Sequence, residues 1–190
     1  MALRAQSFSV VPSSVTSGSV VLGAPLGASL PIPLIGQLGN NWCWAACVEM
    51  VDRWRRGASA TTQCALASRH VAPNCCGSPT PSMQCDKGVQ SSAIASVWSG
   101  VGYSGAAAQG GSVASSVIDN ELQANRPVEI SVVQGGSGHV VLIVGVNAGS
   151  TQYTVFDPIP VSSGTRSQAT FQQLQSGLGQ GSWAETWTNI

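Results

Sequence analysis

The chain has 190 residues, and its 8 Lys or Arg balance its 8 Asp or Glu, so the formal net charge is zero. Charged residues make up 8% of the chain, about a third of the ~25% usual in globular domains. This composition argues against a nucleic-acid-binding protein, which needs a basic patch, and against a charged disordered chain. The longest apolar run, Val140 to Val144, is far shorter than the ~20 residues that cross a bilayer. We expect one monomeric domain that binds neither nucleic acid nor membrane.

The first 28 residues form a lead that is rich in Ser, Val and Gly and contains little to bury. It lacks the continuous apolar stretch of a secretory signal peptide. We interpret residues 1–28 as a flexible tail, an export signal for another secretion machine, or a segment removed by proteolysis. Residues 29–190 are predicted to form a single domain, with a helical half over 29–127 and a β half over 128–190.

Helical patterns dominate the first half of this domain. Two prolines exclude a helix in the segment LPIPLIGQLGN, but the apolar spacing that follows predicts an amphipathic helix over Cys43–Arg56. Asn40 or Asn41 is its expected N-cap, and Gly57 its expected end. Two further helices are predicted over Gly88–Gly100 and Ser112–Ala124.

From Val128 the pattern changes to strands rich in β-branched residues. The predicted strands are Val128–Val133, His139–Val146, Gln152–Phe156 and one near Trp183–Trp187. Gly149 and Ser150 supply a turn that would join the second and third strands into a hairpin. Because the predicted helices come first along the chain and the antiparallel strands second, we expect an α+β fold.

The six cysteines lie in one part of the chain, at Cys43, Cys47, Cys64, Cys75, Cys76 and Cys85. Their spacing lacks the C-x2-C pairs of a zinc site, so we expect no metal. The stretch from Cys64 to Cys85 is rich in Gly, Pro and Ser and offers few apolar contacts, which favours a loop held by two disulfides. The candidates are Cys64, Cys75, Cys76 and Cys85, and the spacing leaves their pairing open. Disulfides imply an oxidising destination.

Cys43 is the strongest candidate for chemistry because it falls in the first turn of the predicted helix. The free backbone N–H groups and the helix dipole there favour a nucleophilic thiolate. Gln37 lies six residues earlier on the incoming loop, and its carboxamide and the N–H of Cys43 can form an oxyanion hole. Cys47, one turn later, is expected to pack inward, whereas Trp42 and Trp44 either wall a cleft beside Cys43 or fill the core.

His139 is the better candidate base of the two histidines in the chain. It follows a glycine-rich loop that ends at Gly138, and it opens a buried strand, whereas His70 is predicted to be a loop residue. Asp157 ends the next strand, so the two side chains can face each other across an antiparallel pair. Asp157 would orient the imidazole, and His139 would hold the Cys43 thiolate as an ion pair.

These residues resemble the papain-like cysteine proteases. The segment Gln37–Trp44 matches the family's oxyanion glutamine, its nucleophilic cysteine and the aromatic residue that follows. Plant papains have an Asn as the third member and a longer gap to the histidine; here Asp157 takes that place and His139 lies 96 residues after the cysteine. The order of NWCWAA, a Cys-Cys loop, GHVVLIVG and FDP is similar to a compact bacterial branch. That branch includes avirulence-effector proteases of plant pathogens and relatives of bacteriocin-processing peptidases, and the resemblance covers Leu34–Pro160.

The resemblance implies a papain-like α+β fold, in which the catalytic cysteine begins a helix packed on an antiparallel sheet. It implies a cysteine peptidase that needs no cofactor and cleaves a protein or peptide, with the triad Cys43, His139 and Asp157 and the oxyanion residue Gln37. It also implies a secreted bacterial effector or toxin. The same triad serves amidases, deamidases and peptidoglycan-peptide hydrolases, and a catalytically dead binding domain is a third reading. Because the surface is nearly uncharged, we expect specificity to come from the shape of the cleft.

Overall fold

The computed structural model describes residues 27, 29–78, 80–147 and 152–190. The lead, with its predicted boundary at residue 28, and the turn predicted at Gly149 and Ser150 lie outside the described residues. Within these ranges, no helix is both long enough and apolar enough to cross a bilayer.

The described part of the chain folds into a helical layer packed on one antiparallel sheet. Its helices are α1 (Cys43–Arg56), α2 (Gln63–His70), α3 (Ser91–Gly100), α4 (Ser115–Gln123) and α5 (Phe171–Gln175). Its strands are β1 (Ala107–Gly110), β2 (Val128–Gln134), β3 (Ser137–Val146), β4 (Gln152–Asp157), β5 (Thr165–Thr170) and β6 (Ser182–Thr188). The sheet order is β1-β6-β2-β3-β4-β5. The predicted α+β class is confirmed, although β1 adds a strand to the helical half and α5 a helix to the β half.

Helix α1 is the central helix of the fold and has the predicted bounds. Nine of its 14 residues, Trp44 to Asp52, are buried, and it packs against β3 in the middle of the sheet. Gly57 ends it with φ +58°, a conformation that favours glycine. The expectation of an asparagine cap is wrong: Trp42 occupies the N-cap position, with no side-chain hydrogen bond to the helix. The side chains of Asn40 and Asn41 bind Asp86 instead.

Helix α2 was not predicted, because its residues fall in the stretch expected to be a disulfide-held loop. Thr62 caps it by accepting a hydrogen bond from the N–H of Ala65, and Leu66 and Ala67 are fully buried. The stretch is therefore helical up to His70 and irregular only beyond it. Local composition suggested a loop, but burial against α1 supports a helix there.

Two disulfides bind this stretch together, joining Cys64 to Cys76 and Cys75 to Cys85. The pairs are interleaved, since Cys75 lies between the two partners of the other bond. The remaining two cysteines, Cys43 and Cys47, are free thiols.

We expect alkylation of the unfolded but unreduced protein to add two labels, one at each free cysteine, and prior reduction to raise the number to six. Fragmentation mass spectrometry of the unreduced chain should link Cys64 to Cys76 and Cys75 to Cys85. A link from Cys64 to Cys75, or six labels without reduction, would contradict the structure.

Candidate active site

A cleft of about 630 Å³ lies between the N-terminal ends of α1 and α3 and the face of the sheet. The residues lining it include Cys43, Trp44, Ser131, Gly138, His139 and Glu185. Cys43 is the first residue of α1, and its free thiol is half-buried at this surface. Cys47 lies one turn further into the core, with its Sγ 3.8 Å from the carbonyl oxygen of Val140. Burial raises the pKa of the Cys47 thiol well above its usual value, so this second thiol is not the nucleophile.

His139 and Asp157 meet at the ends of β3 and β4, with His139 Nε2 2.7 Å from Asp157 Oδ1. The strand register pairs Leu142 with Phe156, so the two side chains are diagonal rather than directly opposite neighbours. A backbone donor also holds the Asp157 carboxylate: the N–H of Ile159 donates to the same Oδ1 at 2.9 Å. Since Nε2 is occupied, Nδ1 is the ring nitrogen left for other partners.

The surroundings of His139 favour its charged form. Burial alone would lower the pKa of His139, but hydrogen bonds to Asp157 and to Cys43 raise it, and the result is a pKa of about 9. The imidazole therefore carries its proton throughout the neutral range. A protonated imidazole held between a carboxylate and a thiol can stabilise a thiolate and can donate a proton to a leaving group.

Gln37 lies behind this pair and is only 1% exposed. Its Nε2 donates to the carbonyl oxygen of Asn40 at 2.7 Å, which fixes the carboxamide's NH₂ end on the side of the loop that leads to Cys43. Its backbone is tied to the segment after β4, where its N–H donates to Pro158 and its carbonyl accepts from Ser162. The carboxamide thus has one N–H that Asn40 does not engage, although Gln37 does not line the cleft.

Gln63, at the start of α2, holds the backbone on both sides of Gln37. Its Nε2 donates to the carbonyl oxygen of Gly36 at 3.1 Å, and its Oε1 accepts from the N–H of Leu38 at 2.8 Å. The N–H of Gln63 in turn donates to Glu49 of α1. Gln63 is fully buried, so its carboxamide keeps the Gln37 backbone in register with α1.

Asp86 holds the loop immediately before Cys43. Its Oδ1 accepts from the backbone N–H of Asn41 at 2.8 Å, and its Oδ2 accepts from the backbone N–H of Asn40 at 3.1 Å. The side-chain amides of both asparagines also donate to Asp86. Gly39 permits this close approach, since a Cβ there would lie 2.9 Å from Asp86 Oδ1. The residue before Asp86, Cys85, forms a disulfide, so the loop before Cys43 depends on the disulfide-held stretch.

The structure divides the two tryptophans between the core and the cleft. Trp42 is 1% exposed, points away from the cleft and donates from Nε1 to the carbonyl oxygen of Cys85 at 2.8 Å. Trp44 lines the cleft, and His70 stacks edge-on against it with ring centroids 6.1 Å apart. His70 is the last residue of α2, so the prediction that it lies in a loop is wrong. Within the described residues, no cluster of three or more His, Cys, Asp or Glu side chains could hold a metal ion.

Asp86, Gln63 and Glu185 are site residues that the sequence analysis missed. The position of Asp86 directly after a cysteine, in a chain with few acids, is a weak indication of a role. Its contact with Asn41 could not be predicted from a local pattern because the two residues are 45 positions apart. Gln63 and Glu185 carry no local pattern that distinguishes them from other polar residues.

Comparisons with known proteins show the fold and the family of this chain. In the solved structures, the peptidase domain of Streptococcus ComA, a bifunctional ABC transporter involved in quorum sensing, matches with a TM-score of 0.51 and 18% identity. The match covers 82% of this chain and 96% of that domain, and at this identity it shows the fold. Comparison with curated proteins yields no match. The family model described as papain-like cysteine protease AvrRpt2 matches residues 29–176. The chain therefore belongs to the AvrRpt2 family of papain-like cysteine proteases.

Proposed function

We propose that this protease works through the triad Cys43, His139 and Asp157, with Gln37 and the N–H of Cys43 as its oxyanion hole. The observation that carries the proposal is the position of His139. It is hydrogen-bonded to Asp157 and close enough to Cys43 for the thiol to raise its pKa, and Cys43 begins a largely buried helix at the edge of the cleft. The reacting groups thus face a space large enough for a peptide.

In the first half of the reaction, the Cys43 thiolate attacks the carbonyl carbon of the scissile peptide bond. The carbonyl oxygen becomes an oxyanion, which accepts hydrogen bonds from the Cys43 N–H and the free N–H of the Gln37 carboxamide. His139 then gives its proton to the leaving amine as the C–N bond breaks, which leaves a thioester on Cys43.

In the second half, neutral His139 takes a proton from a water molecule, and the hydroxide attacks the thioester carbon through a second oxyanion. The C–S bond breaks, the carboxyl product leaves, and the thiolate and the imidazolium are restored. Asp157 keeps one ring nitrogen of His139 engaged throughout, so the other stays directed at the reacting atoms.

We further propose that the enzyme acts outside the reducing cytoplasm, as a secreted effector or toxin. Two observations support this destination: the structure holds two interleaved disulfides, and charged residues make up only 8% of the chain. Alkylation of the unfolded, unreduced protein also tests this proposal, provided that the protein is recovered from culture fluid. Six free thiols in such protein would contradict it.

The nucleophile can be tested with an epoxide inhibitor of thiol proteases. We expect the inhibitor to label the native protein once, at Cys43, and Cys43→Ala to abolish both labelling and the cleavage of casein. Cys47→Ala is the matched control, because it removes the other free thiol and should leave labelling intact. Casein fragments that depend on Cys43 support a peptidase, whereas products from peptidoglycan alone would support a cell-wall hydrolase. Native Cys43 that reacts no faster than an unfolded thiol would support a binding domain.

The pH dependence tests the roles of His139 and Asp157. Above its pKa of about 9, His139 loses the proton that stabilises the thiolate, so kcat/KM should decline on the alkaline side near pH 9. Asp157→Asn preserves a hydrogen-bonding side chain but removes the negative charge that helps raise this pKa. The alkaline limb of Asp157→Asn should therefore move to lower pH, by about one unit. An unchanged limb would contradict the assignment of Asp157.

Asp86 is expected to act as a positioning residue. Asp86→Asn keeps one acceptor oxygen but places an NH₂ group against one of the two backbone N–H donors, so the loop from Gln37 to Cys43 should shift. We expect kcat to fall about tenfold to a hundredfold, with little change in KM because Asp86 does not line the cleft. Parallel kinetics and thermal unfolding would measure this. A fall in activity explained wholly by unfolding, or a rise in KM alone, would argue against it.

A further inference from the structure

Three cleft residues form a row across neighbouring strands of the sheet. Glu185 of β6 pairs with Ser131 of β2, and Ser131 pairs in turn with Val140 of β3. Directly paired residues on antiparallel strands point to the same face of the sheet, and all three line the cleft. On the outer side, Glu185 pairs with Gly110 of β1, where an added Cβ would meet nothing within 4 Å. The row is thus open at the Glu185 end and apolar at the Val140 end.

Glu185 gives this row a charge that the rest of the cleft does not balance. Among the residues that line the cleft, it is the single acid and none is Lys or Arg, and the charge of His139 is already paired with Asp157. Throughout the described part of the chain, no salt bridge involves Glu185. A peptide closing over the cleft would remove water from this carboxylate, which is unfavourable unless the peptide brings a positive charge or hydrogen-bond donors.

Ser131 is a second, independent indication of a polar ligand. It is 4% exposed, lines the cleft beside Glu185, and its Oγ has no hydrogen-bond partner. Buried hydroxyls are nearly always paired in folded proteins, so an unpaired one at a cleft indicates a group that arrives with a ligand. Trp187 Nε1 is also unpaired, but it lies in the next row, opposite the unpaired Oε1 of Glu129. Trp187 Nε1 is a donor and Glu129 Oε1 can accept, so these two groups can complement each other, whereas Ser131 has no such neighbour in its row.

We propose that Glu185 and Ser131 form a subsite for a Lys or Arg side chain of the substrate, and this inference depends on the proposed peptidase function. The carboxylate and the hydroxyl oxygen both accept hydrogen bonds from an ammonium or guanidinium group. The methylene stem of the same side chain lies over Val140 and Val133, which also lines the cleft. In a chain with 8 acids among 190 residues, one unpaired carboxylate in the cleft selects the substrate by charge and adds to selection by shape.

The test is a library of fluorogenic peptides in which each position in turn carries Arg or citrulline, its uncharged isostere. At one position we expect the wild-type enzyme to prefer Arg in kcat/KM by about tenfold, which corresponds to about 1.4 kcal/mol. Glu185→Gln should abolish this preference, mainly by lowering kcat/KM for the Arg peptide. The preference should also weaken as salt is added, because the carboxylate is partly exposed.

Asp119→Asn is the matched control: it also removes one negative charge, outside the cleft, and retains an oxygen that can accept from Tyr153. This variant should keep the preference for Arg. Equal cleavage of the Arg and citrulline peptides at every position would overturn the subsite alone. The same holds for a Glu185→Gln enzyme that still prefers Arg, or for a preference that follows uncharged Gln rather than Arg. If no peptide is cleaved in a Cys43-dependent way, the proposed peptidase function fails and the subsite fails with it.

Discussion

The packing of α1 against β3 is the constraint on which the candidate site depends. Cys43 begins that helix and His139 lies near the start of that strand, so the distance between thiol and imidazole is set by how the two elements pack. The contact is close, since Cys47 reaches the backbone of β3 from the next turn of the helix. A nearly incompressible interface of this kind holds two reacting groups more accurately than flexible loops can. The middle of α1, from Trp44 to Asp52, is buried in this interface and its surroundings.

The oxyanion side of the site is held by polar contacts in place of packing. Gln37 lies on an irregular segment, and three separate parts of the fold fix its backbone and side chain: Gln63, the segment after β4, and the loop bound by Asp86. Gln63 and the segment after β4 satisfy backbone groups around Gln37, which is itself buried. The hydrogen bonds therefore stabilise the fold and hold the Gln37 carboxamide in place at the same time, so the proposed oxyanion hole would need little rearrangement when substrate binds.

Much of this arrangement could be predicted from the sequence because it depends on local patterns. The apolar spacing of α1 predicted its bounds. The strand patterns after Val128 predicted the four inner strands of the sheet, β2, β3, β4 and β6. Strand β5 was missed because its sequence, TRSQAT, is polar and mostly exposed at the sheet edge. Helix α5 was also missed, although Thr170 and Gln173 make a capping box whose spacing is readable in the sequence. The prediction of an asparagine cap for α1 was wrong because it relied on a local pattern. A partner distant in sequence, Asp86, binds the same asparagine side chains.

The interleaved disulfides have a consequence for a protein that is itself a protease. The stretch from Cys64 to Cys85 is irregular beyond α2 and partly exposed, which is the kind of segment that proteases cut. To enter a cleft, a segment must first pull away from its own fold as an extended strand. The two bonds cross each other within this stretch, so no part of it between the cysteines can extend freely. The bonds that support the loop before Cys43 thus also restrain a long irregular stretch that would otherwise be free to extend into a protease cleft.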